Sequence, residues 1–363
     1  MAIQPEELAI PIIDLEPIRS GTPEEARKTG KLVYQAFRDV GFAYIKNHGL
    51  PQDLLDQAFD WVSLLLRYQH AFAKCTLQRW RRWFSADSIY GIQSSKFFAL
   101  PQADKDKAPH PPYGWWHRGY SGIGREKVVQ MVFDADSISQ LRQCPDFKES
   151  FELGREDDER TPNIWLPETV LPGFREFMTS FFDTCYGTAL NLLRAIAMGM
   201  DLPEDFFRDY HTKRDNQLRL LHYPPVEAEL LQSGSLERIA AHSDFGTMTL
   251  LFQDEVGGLE VEDVHVKGKF NPAPFIPGTV VVNIGDFLQR WSNDTLKSTL
   301  HRVRAPPMAN GMTRARYSIP YFVTANRDRT IDCIPGCYSA DKPKKYEPIN
   351  AREYIEMRLN ATY

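Results

Sequence analysis

The stretch Ala241-His242-Ser243-Asp244-Phe245-Gly246 decides what the rest of the chain has to build around it. His242 and Asp244 are two residues apart, and on an extended strand residues i and i+2 project from the same face. An imidazole and a carboxylate placed side by side can bind one metal ion together. His301, in the stretch Ser298-Thr299-Leu300-His301-Arg302-Val303, supplies a second imidazole. Two nitrogens and one oxygen leave half of an octahedral coordination shell open to other ligands.

An isolated His-x-Asp pair is weak evidence by itself. The chain has 9 histidines, and a polar strand end or a hydrogen-bonded core histidine would explain one such pair more simply. The downstream sequence favours a site, because Arg316 and Ser318 again share one face of a predicted strand. A planar guanidinium binds a carboxylate through two parallel charge-assisted hydrogen bonds. With a hydroxyl beside it, the pair therefore suits a ligand that carries a carboxylate.

Short strands separated by Gly, Pro and Asn turns dominate the second half of the chain. The segments predicted as strands are residues 218–223, 239–242, 248–252, 259–261, 270–274, 279–284, 299–303 and 317–323. Many short strands of this kind are typical of a sandwich or jelly roll. We therefore predict an α+β protein with a double-stranded β-helix (jelly roll) core, a helical N-terminal region and supporting helices.

Helix signals place the other elements around that core. Thr22 followed by Pro23 and two glutamates is typical of a helix start, and Gly41 marks the end of that helix. Residues 172–200 carry apolar side chains at three- and four-residue steps, which predicts a long core helix. Residues 350–359 are predicted as a closing helix. The organisation expected is an N-terminal α/β region (residues 1–155) and a jelly-roll region with its supporting helix (residues 156–363).

Composition excludes several classes of protein. With 42% hydrophobic residues the chain of 363 residues can bury a sizeable core, and its net charge of -5 gives no basic surface for nucleic acid. The 5 scattered cysteines favour a reduced protein, and the nearest pair, Cys333 and Cys337, lacks two further zinc ligands. No apolar run approaches the roughly 18 residues that span a bilayer. We expect a cytoplasmic protein with no nucleic-acid, membrane or obligate protein partner.

The chain resembles the isopenicillin N synthase-like branch of the 2-oxoglutarate/Fe(II)-dependent dioxygenases. The resemblance extends in order over nearly the whole chain. Its matching segments are residues 10–15, 41–49, 218–224, 241–246, 257–261, 282–286, 298–303 and 316–318. It implies Fe(II), 2-oxoglutarate as co-substrate and O2. The implied iron ligands are His242, Asp244 and His301. The residues implied to bind the distal carboxylate of 2-oxoglutarate are Arg316, Ser318 and Tyr223.

What the resemblance implies for the reaction is oxidation of a substrate C–H bond with release of succinate and CO2. Hydroxylation is the usual outcome, and desaturation or ring formation also occur in the family. Two alternatives stay open: an iron oxidase that uses the same ligands without 2-oxoglutarate, and a jelly roll that binds a ligand without catalysis. In either oxygenase or oxidase the metal supplies the chemistry, while the protein positions the reactants and excludes water.

The sequence says least about the substrate, which we expect to be a small molecule. Several segments resemble fungal members of the family, among them thymine 7-hydroxylases and enzymes that oxidise methyl groups in secondary metabolism. By position, the residues expected near the substrate are Phe245, Phe322, Arg219 and Tyr120. Two aromatic rings and an arginine suit a planar, oxygen-rich molecule. For Tyr120, a buried tyrosine with a hydrogen-bonded hydroxyl is an equally good interpretation.

Four polar residues near the second histidine are given structural roles. Asn283 and Asp286 are expected to fix the turn before the strand that carries His301. Arg302 and Arg304 are expected to form ion pairs at or near the surface.

Residues 62–93 interrupt the resemblance and include a basic aromatic cluster, Gln78-Arg79-Trp80-Arg81-Arg82-Trp83. Interleaved Arg and Trp residues occur in proteins that stack single-stranded nucleic acid, but an acidic chain does not favour that function. Two interpretations stay open. The segment is either an amphipathic insertion that packs its tryptophans or a translated intron, which would be locally inconsistent with the fold.

Overall fold

The computed structural model of the chain describes residues 9–62, 96–126, 146–233, 236–304 and 311–362. The eight α-helices of these residues are α1 (Glu16–Ser20), α2 (Pro23–Asp39), α3 (Gln52–Val62), α4 (Gln102–Lys105), α5 (Phe174–Gly199), α6 (Ala228–Gln232), α7 (Asp286–Trp291) and α8 (Ala351–Thr362). None of them is long and apolar enough to cross a membrane.

The strands form a large sheet and a small sheet that face each other, with a further two-stranded ribbon outside them. The strands are β1 (Ile12–Asp14), β2 (Phe42–Lys46), β3 (Gly119–Ser121), β4 (Glu149–Leu153), β5 (Gln217–Tyr223), β6 (Ile239–His242), β7 (Met248–Gln253), β8 (Leu259–Asp263), β9 (Val266–Pro272), β10 (Thr279–Ile284), β11 (His301–Val303), β12 (Arg316–Val323), β13 (Thr330–Ile331) and β14 (Ile349–Asn350). The large sheet has the order β1-β2-β10-β7-β12-β5-β4-β3, and the small sheet has the order β6-β11-β8-β9. The predicted jelly-roll class is confirmed.

The two faces of the large sheet have different partners because side chains alternate along each strand. On β5, Leu218 and Leu220 join the main apolar core against α5, whereas Leu221 and Tyr223 pack on Ile239 of the small sheet. Rings of α5 lie against this outer face: Phe182 is 5.2 Å from Tyr321 and Phe181 is 5.8 Å from Phe252, measured between centroids. The long helix is therefore the support for the sheet, as its apolar pattern predicts.

The N-terminal region adds strands to the same large sheet. Strand β2 pairs antiparallel with β10, and β1 pairs parallel with β2. On the opposite edge, β4 pairs with β5. Backbone hydrogen bonds thus connect residues on both sides of the division expected near residue 155, which stays a prediction.

Local signals in the N-terminal region act as predicted. The Thr22 hydroxyl accepts from the Glu25 amide while the Glu25 carboxylate accepts from the Thr22 amide, so α2 begins with a capping box. Gly41 follows α2 with a φ of 81°, a conformation that glycine adopts without strain. Of the interrupting segment 62–93, only Val62 belongs to the described residues, where it ends α3 and is buried.

Candidate metal centre and substrate cavity

The two histidines and the aspartate meet where the small sheet ends. His242 closes β6, His301 opens β11, and the two lie directly opposite each other in the antiparallel pair. One ligand atom from each of His242, Asp244 and His301 lies within 4.8 Å of the other two. Strand β6 ends at His242, as predicted, and Asp244 lies two residues past that end, just before the chain bends at residues 245–247. The carboxylate nevertheless reaches both imidazoles.

Backbone carbonyls fix which nitrogen of each ring faces the cluster. His242 Nδ1 lies 2.9 Å from the Ala240 carbonyl oxygen, and His301 Nδ1 lies 3.3 Å from that of Thr299. Because a carbonyl can only accept, Nδ1 carries the proton in each ring and Nε2 keeps its lone pair. The Nε2 atoms lie 3.9 and 3.7 Å from Asp244 Oδ1, too far for hydrogen bonds. An ion held by bonds of about 2.1 Å can bridge such gaps.

Two neighbours orient the Asp244 carboxylate. Its Oδ2 accepts hydrogen bonds from Thr249 Oγ1 at 2.5 Å and from Asn283 Nδ2 at 2.8 Å, which leaves Oδ1 directed at the imidazoles. The prediction that Asn283 fixes the turn before β11 is therefore wrong, since its amide holds the aspartate. Asp286 also differs from its prediction: its amide donates to the Asp244 carbonyl at 2.8 Å, and its carboxylate accepts from Ser243. Such outer partners fix the orientation of metal ligands.

Electrostatics keep the cluster in the protonation state that binds cations. Burial, with a further contribution from His301, lowers the pKa of His242 to about 3, so its imidazole is neutral. Burial alone would raise the pKa of Asp244, but the two imidazoles and the hydrogen bonds from Asn283 and Thr249 outweigh it and the net pKa is lowered. Neutral imidazoles and an ionised carboxylate are the forms in which these side chains bind metal.

A cavity extends from this cluster between the two sheets. Alternation along the strands decides which side chains line it: Arg316, Ser318, Pro320 and Phe322 on β12 do so, while Ile319 and Tyr321 between them belong to the outer core. The predicted site residues that line the cavity together with the cluster are Arg219, Tyr223, Phe245, Arg316, Ser318 and Phe322. The structure does not bring Tyr120 there; its hydroxyl donates to Glu149 at 2.6 Å within the core.

Arg316 forms a buried positive end of the cavity. Its guanidinium is 1% exposed and donates to the Gly257 carbonyl at 2.8 Å, to Ser318 Oγ at 3.0 Å and to the Gln253 side-chain oxygen at 3.4 Å. All three acceptors are uncharged. The Asp254 carboxylate lies near enough to interact with the Arg316 charge, but so does a second arginine, Arg238, so this region keeps an excess of positive charge. Tyr223, which pairs with Arg316 across β5 and β12, has its ring centroid 5.0 Å from the guanidinium carbon. This end of the cavity suits an anionic group.

A second buried guanidinium, Arg238, was not predicted from the sequence. It is 1% exposed, lies 5.8 Å from the centroid of Tyr223 and donates to the Arg314 carbonyl at 2.7 Å. Burial, and then the proximity of Arg316, lowers its pKa to about 10, so it stays charged at neutral pH. No local pattern marked Arg238, because it lies at a bend just before β6 begins.

Comparisons with known proteins agree with this geometry. Residues 214–325 match the 2OG-Fe(II) oxygenase superfamily, and residues 10–68 and 91–168 match the region described as non-haem dioxygenase in morphine synthesis N-terminal. The proline hydroxylase buaE of Petromyces alliaceus is 40% identical over 91% of this chain and 92% of its own. This chain belongs to the 2OG-Fe(II) oxygenase superfamily. It is accordingly a 2-oxoglutarate-dependent oxygenase, an oxidoreductase that uses Fe(II), 2-oxoglutarate and O2.

Further relatives cover the whole oxygenase. The 2-oxoglutarate-dependent dioxygenase frbA of Dothideomycetidae sp. (strain 11243) is 37% identical over 98% of each chain. The crystal structure of full-length Neurospora crassa thymine 7-hydroxylase with 2-oxoglutarate and thymine shares 38% identity, with a TM-score of 0.80 and 99% of each chain covered. The match to the N-terminal region omits residues 69–90, which lie within the segment that interrupts the resemblance.

The oxygenase contains a second group of potential metal ligands, His110, His117 and Glu152, all buried. Glu152 Oε2 lies 3.5 Å from His110 Nε2 and 3.8 Å from His117 Nδ1. Here, however, the Arg219 guanidinium already contacts two of these three residues. Its NH2 lies 3.3 Å from His117 Nδ1 and its Nε lies 3.0 Å from Glu152 Oε1. A metal ion would compete with a guanidinium for the same lone pair. The arrangement therefore holds Arg219 and His117 in the cavity wall.

The charge of Arg219 is paired within the wall. Glu126 pairs with Lys148 and lies 3.2 Å from Arg219 NH1, and Arg219 Nε lies 3.0 Å from Glu152. Two further arginines of the cavity lining, Arg118 and Arg327, share the Asp158 carboxylate. This wall can therefore offer hydrogen bonds from Arg219 to a ligand.

The predicted ion pairs on β11 and after it are present. Arg302 Nε lies 2.6 Å from Glu260, and Arg304 NH1 lies 3.7 Å from Glu237. Neither arginine lines the cavity, as expected for structural pairs.

Proposed function

We propose that His242, Asp244 and His301 bind the catalytic Fe(II) of this oxygenase. The observation that carries the proposal is the convergence of two Nε2 lone pairs on one carboxylate oxygen, with every other polar atom of the three side chains already held by the protein. Two imidazoles and a carboxylate on one side of an ion leave the other side open, as non-haem iron oxygenases require.

Arg316, Ser318 and Tyr223 are proposed to bind the distal carboxylate of 2-oxoglutarate. The buried guanidinium supports this role, because its hydrogen-bond acceptors are uncharged and Arg238 adds a second positive charge beside it, so an entering carboxylate meets an excess of positive charge. Burial raises the pKa of Tyr223, so its hydroxyl stays protonated and can donate to an oxygen. When bound, iron and 2-oxoglutarate supply the oxidising chemistry with O2, and the protein's part is to orient the co-substrate and keep water away.

The substrate is proposed to lie on the other side of the metal centre, against Phe245, Phe322 and Arg219. Arg219, whose charge is already paired with Glu126 and Glu152, favours a small polar molecule held by hydrogen bonds and flanked by the two rings. Two relatives with known small substrates fit this description: one is called a proline hydroxylase, and the other was crystallised with thymine. Oxidation of a C–H bond, with a methyl group as one candidate, is the reaction proposed.

The test is an assay of succinate and O2 on the chain reconstituted with Fe(II), using free proline, thymine and related neutral or zwitterionic molecules as substrates. A 2-oxoglutarate-dependent oxygenase forms succinate in proportion to oxidised substrate. O2 consumption that is independent of 2-oxoglutarate would instead identify an iron oxidase, and ligand binding without O2 consumption would identify a non-catalytic jelly roll.

Location in the cytoplasm is part of the proposal. Cys185, Cys333 and Cys337 are all present as thiols, which suits a reducing compartment. Fractionation of the native source would check it.

A further inference from the structure

The C-terminal helix α8 covers one side of the cavity with one of its faces. Arg352, Ile355, Glu356 and Leu359 line the cavity, at the i, i+3, i+4 and i+7 spacing of one helical face. Glu356 also pairs with Arg160, from the loop between β4 and α5, at 2.6 Å. Helix α8 is therefore part of the substrate enclosure.

A different face of α8 packs on the protein. Tyr354 is 6% exposed and its ring centroid lies 5.5 Å from that of Phe287 on α7. One turn later comes Arg358, which is 1% exposed although arginine is rarely fully buried unless it is paired. The burial of Arg358 therefore implies that a specific acidic or polar group pairs with its charge.

That partner is Asp286, the first residue of α7. Arg358 NH1 donates to Asp286 Oδ2, and the same oxygen accepts from Ser243 Oγ at 2.8 Å. The Asp286 amide donates in turn to the Asp244 carbonyl at 2.8 Å. Through Asp286, the C-terminal helix is connected to Ser243 and to Asp244, the candidate iron ligand. These two residues belong to the segment from Ser243 to Phe245.

Arg358 also contacts Phe245, the next residue of that segment. Its guanidinium carbon lies 4.2 Å from the centroid of the Phe245 ring, a close cation–π contact. The Phe287 amide donates to the Phe245 carbonyl at 3.3 Å, which holds the backbone beneath that ring. Phe245 lines the cavity on the proposed substrate side. One side chain of α8 thus contacts the groups that fix both the metal ligand and a substrate neighbour.

We infer that Arg358 is a positioning residue of the active site. It fixes the segment from Ser243 to Phe245 and connects that segment to helix α8, which closes one side of the cavity. The expected effect on catalysis rests on the proposed role of Asp244 as an iron ligand. The expected effect on the local backbone does not, because it follows from a buried ion pair. Removing one partner of such a pair leaves the other charge buried without compensation.

The variant that tests the inference is Arg358→Met, which keeps the length and apolar stem of the side chain and removes its charge. Glu353→Gln, at an exposed position of the same helix that does not line the cavity, is the matched control. Hydrogen–deuterium exchange is measured on the metal-free chain. We expect exchange of the amides of Asp286 and Phe287 to become about tenfold faster in Arg358→Met, with no change in the control. The amides of Val281 and Val282 in β10 should exchange as before.

A second measurement separates positioning from stability. Arg358→Met should form less oxidised substrate per succinate than the unaltered chain and show a raised KM for substrate, with the KM for 2-oxoglutarate nearly unchanged. Arg358→Lys keeps the charge but lacks the planar group over Phe245. We expect two- to threefold faster exchange at Asp286 and a product-to-succinate ratio between those of the unaltered chain and Arg358→Met.

Two results would overturn the inference. One is exchange that rises equally throughout the core in Arg358→Met, which would identify a purely stabilising ion pair. The other is Arg358→Lys with the exchange and product ratio of the unaltered chain, a result that decides the question even if Arg358→Met does not fold. Because exchange is followed without metal, a failure of the proposed iron site would leave the exchange results unaffected and would change only the turnover results.

Discussion

Removal of residues 63–94 should leave a chain that folds at least as stably as the full one. The residues that flank this segment on its two sides contact each other. The Phe97 amide donates to the Trp61 carbonyl at 3.1 Å, and the Lys96 ammonium lies 3.9 Å from the centroid of the Trp61 ring. Joining Val62 directly to Ser95 places three residues between Trp61 and Phe97. Their existing hydrogen bond then becomes an i to i+4 bond of a single turn, a common connection.

The expected gain in stability follows from loop closure. Closing a flexible loop costs about 0.6 kcal/mol more for each doubling of its length. Reducing the connection between Trp61 and Phe97 from about 35 residues to three is about three and a half doublings, or about 2 kcal/mol. If the removed residues contribute no packing, the melting temperature of a chain of this size should rise by about 3 °C.

The junction has to retain Val62, which is 1% exposed and packs in the main core beside Ala58. A control deletion that joins Trp61 to Ser95 loses this side chain and shortens the turn. Burial of a valine contributes about 1.5 to 3 kcal/mol, so the control should melt below the first variant. Phe97, stacked 5.3 Å from Phe174, should stay in place in the first variant alone.

Thermal melts by circular dichroism and 2-oxoglutarate turnover, each beside the full chain, are the measurements. Equal or greater turnover with a raised melting temperature would support a segment foreign to the fold, whether insertion or intron. A first variant that fails to fold, or melts several degrees lower, would refute the reasoning and show that residues 63–94 pack as an integral part of the protein.

Four substitutions test the site and the residues predicted to lie near it. His242→Ala should abolish Fe(II) binding and turnover with the fold retained; unchanged O2 consumption in the presence of substrate would contradict the assignment. Arg316→Leu should raise the apparent KM for 2-oxoglutarate by at least about 30-fold, because losing a charged partner costs roughly 2–5 kcal/mol of binding; an unchanged KM would point to the oxidase or to another anchor. Asn283→Ala removes one of the two hydrogen bonds that hold Asp244 Oδ2 and should weaken Fe(II) affinity about tenfold, measured by equilibrium dialysis. Tyr120→Phe should lower the melting temperature through its lost bond to Glu149 and leave the KM for substrate unchanged, whereas a raised KM would restore it as a substrate neighbour.

Prediction from sequence succeeded where a local pattern carries the information. Strands β6 and β10 have the predicted bounds, and the other strands predicted in the second half differ by a few residues at their ends. The pairing of Arg316 with Ser318 on one cavity-facing side of β12 follows from the two-residue period alone. The helix that begins after Thr22 and the long helix α5 follow from capping and apolar spacing.

It failed where a side chain depends on a distant neighbour. Asn283 and Asp286 were assigned to the turn that follows them, but their hydrogen bonds reach back to Asp244 and Ser243, about 40 residues earlier. Of the two interpretations of Tyr120, the structure supports the buried tyrosine over the substrate neighbour, because its strand pairs with β4 and its hydroxyl meets Glu149. No local pattern indicates which of several polar acceptors a side chain will reach.

The sequence by itself determined the chemistry available: two imidazoles, a carboxylate, an arginine beside a serine, and strands short enough to build a jelly roll. The period of side chains along each strand also settled which residues could face inward together. Tertiary structure alone decided that His301 lies opposite His242, that Arg238 lies beside Tyr223, and that Arg358 from the last helix reaches Asp286. The physical reason is that strand register and helix docking are set by burying apolar faces across the whole core. Contacts between residues far apart in the chain are fixed only when that core is complete.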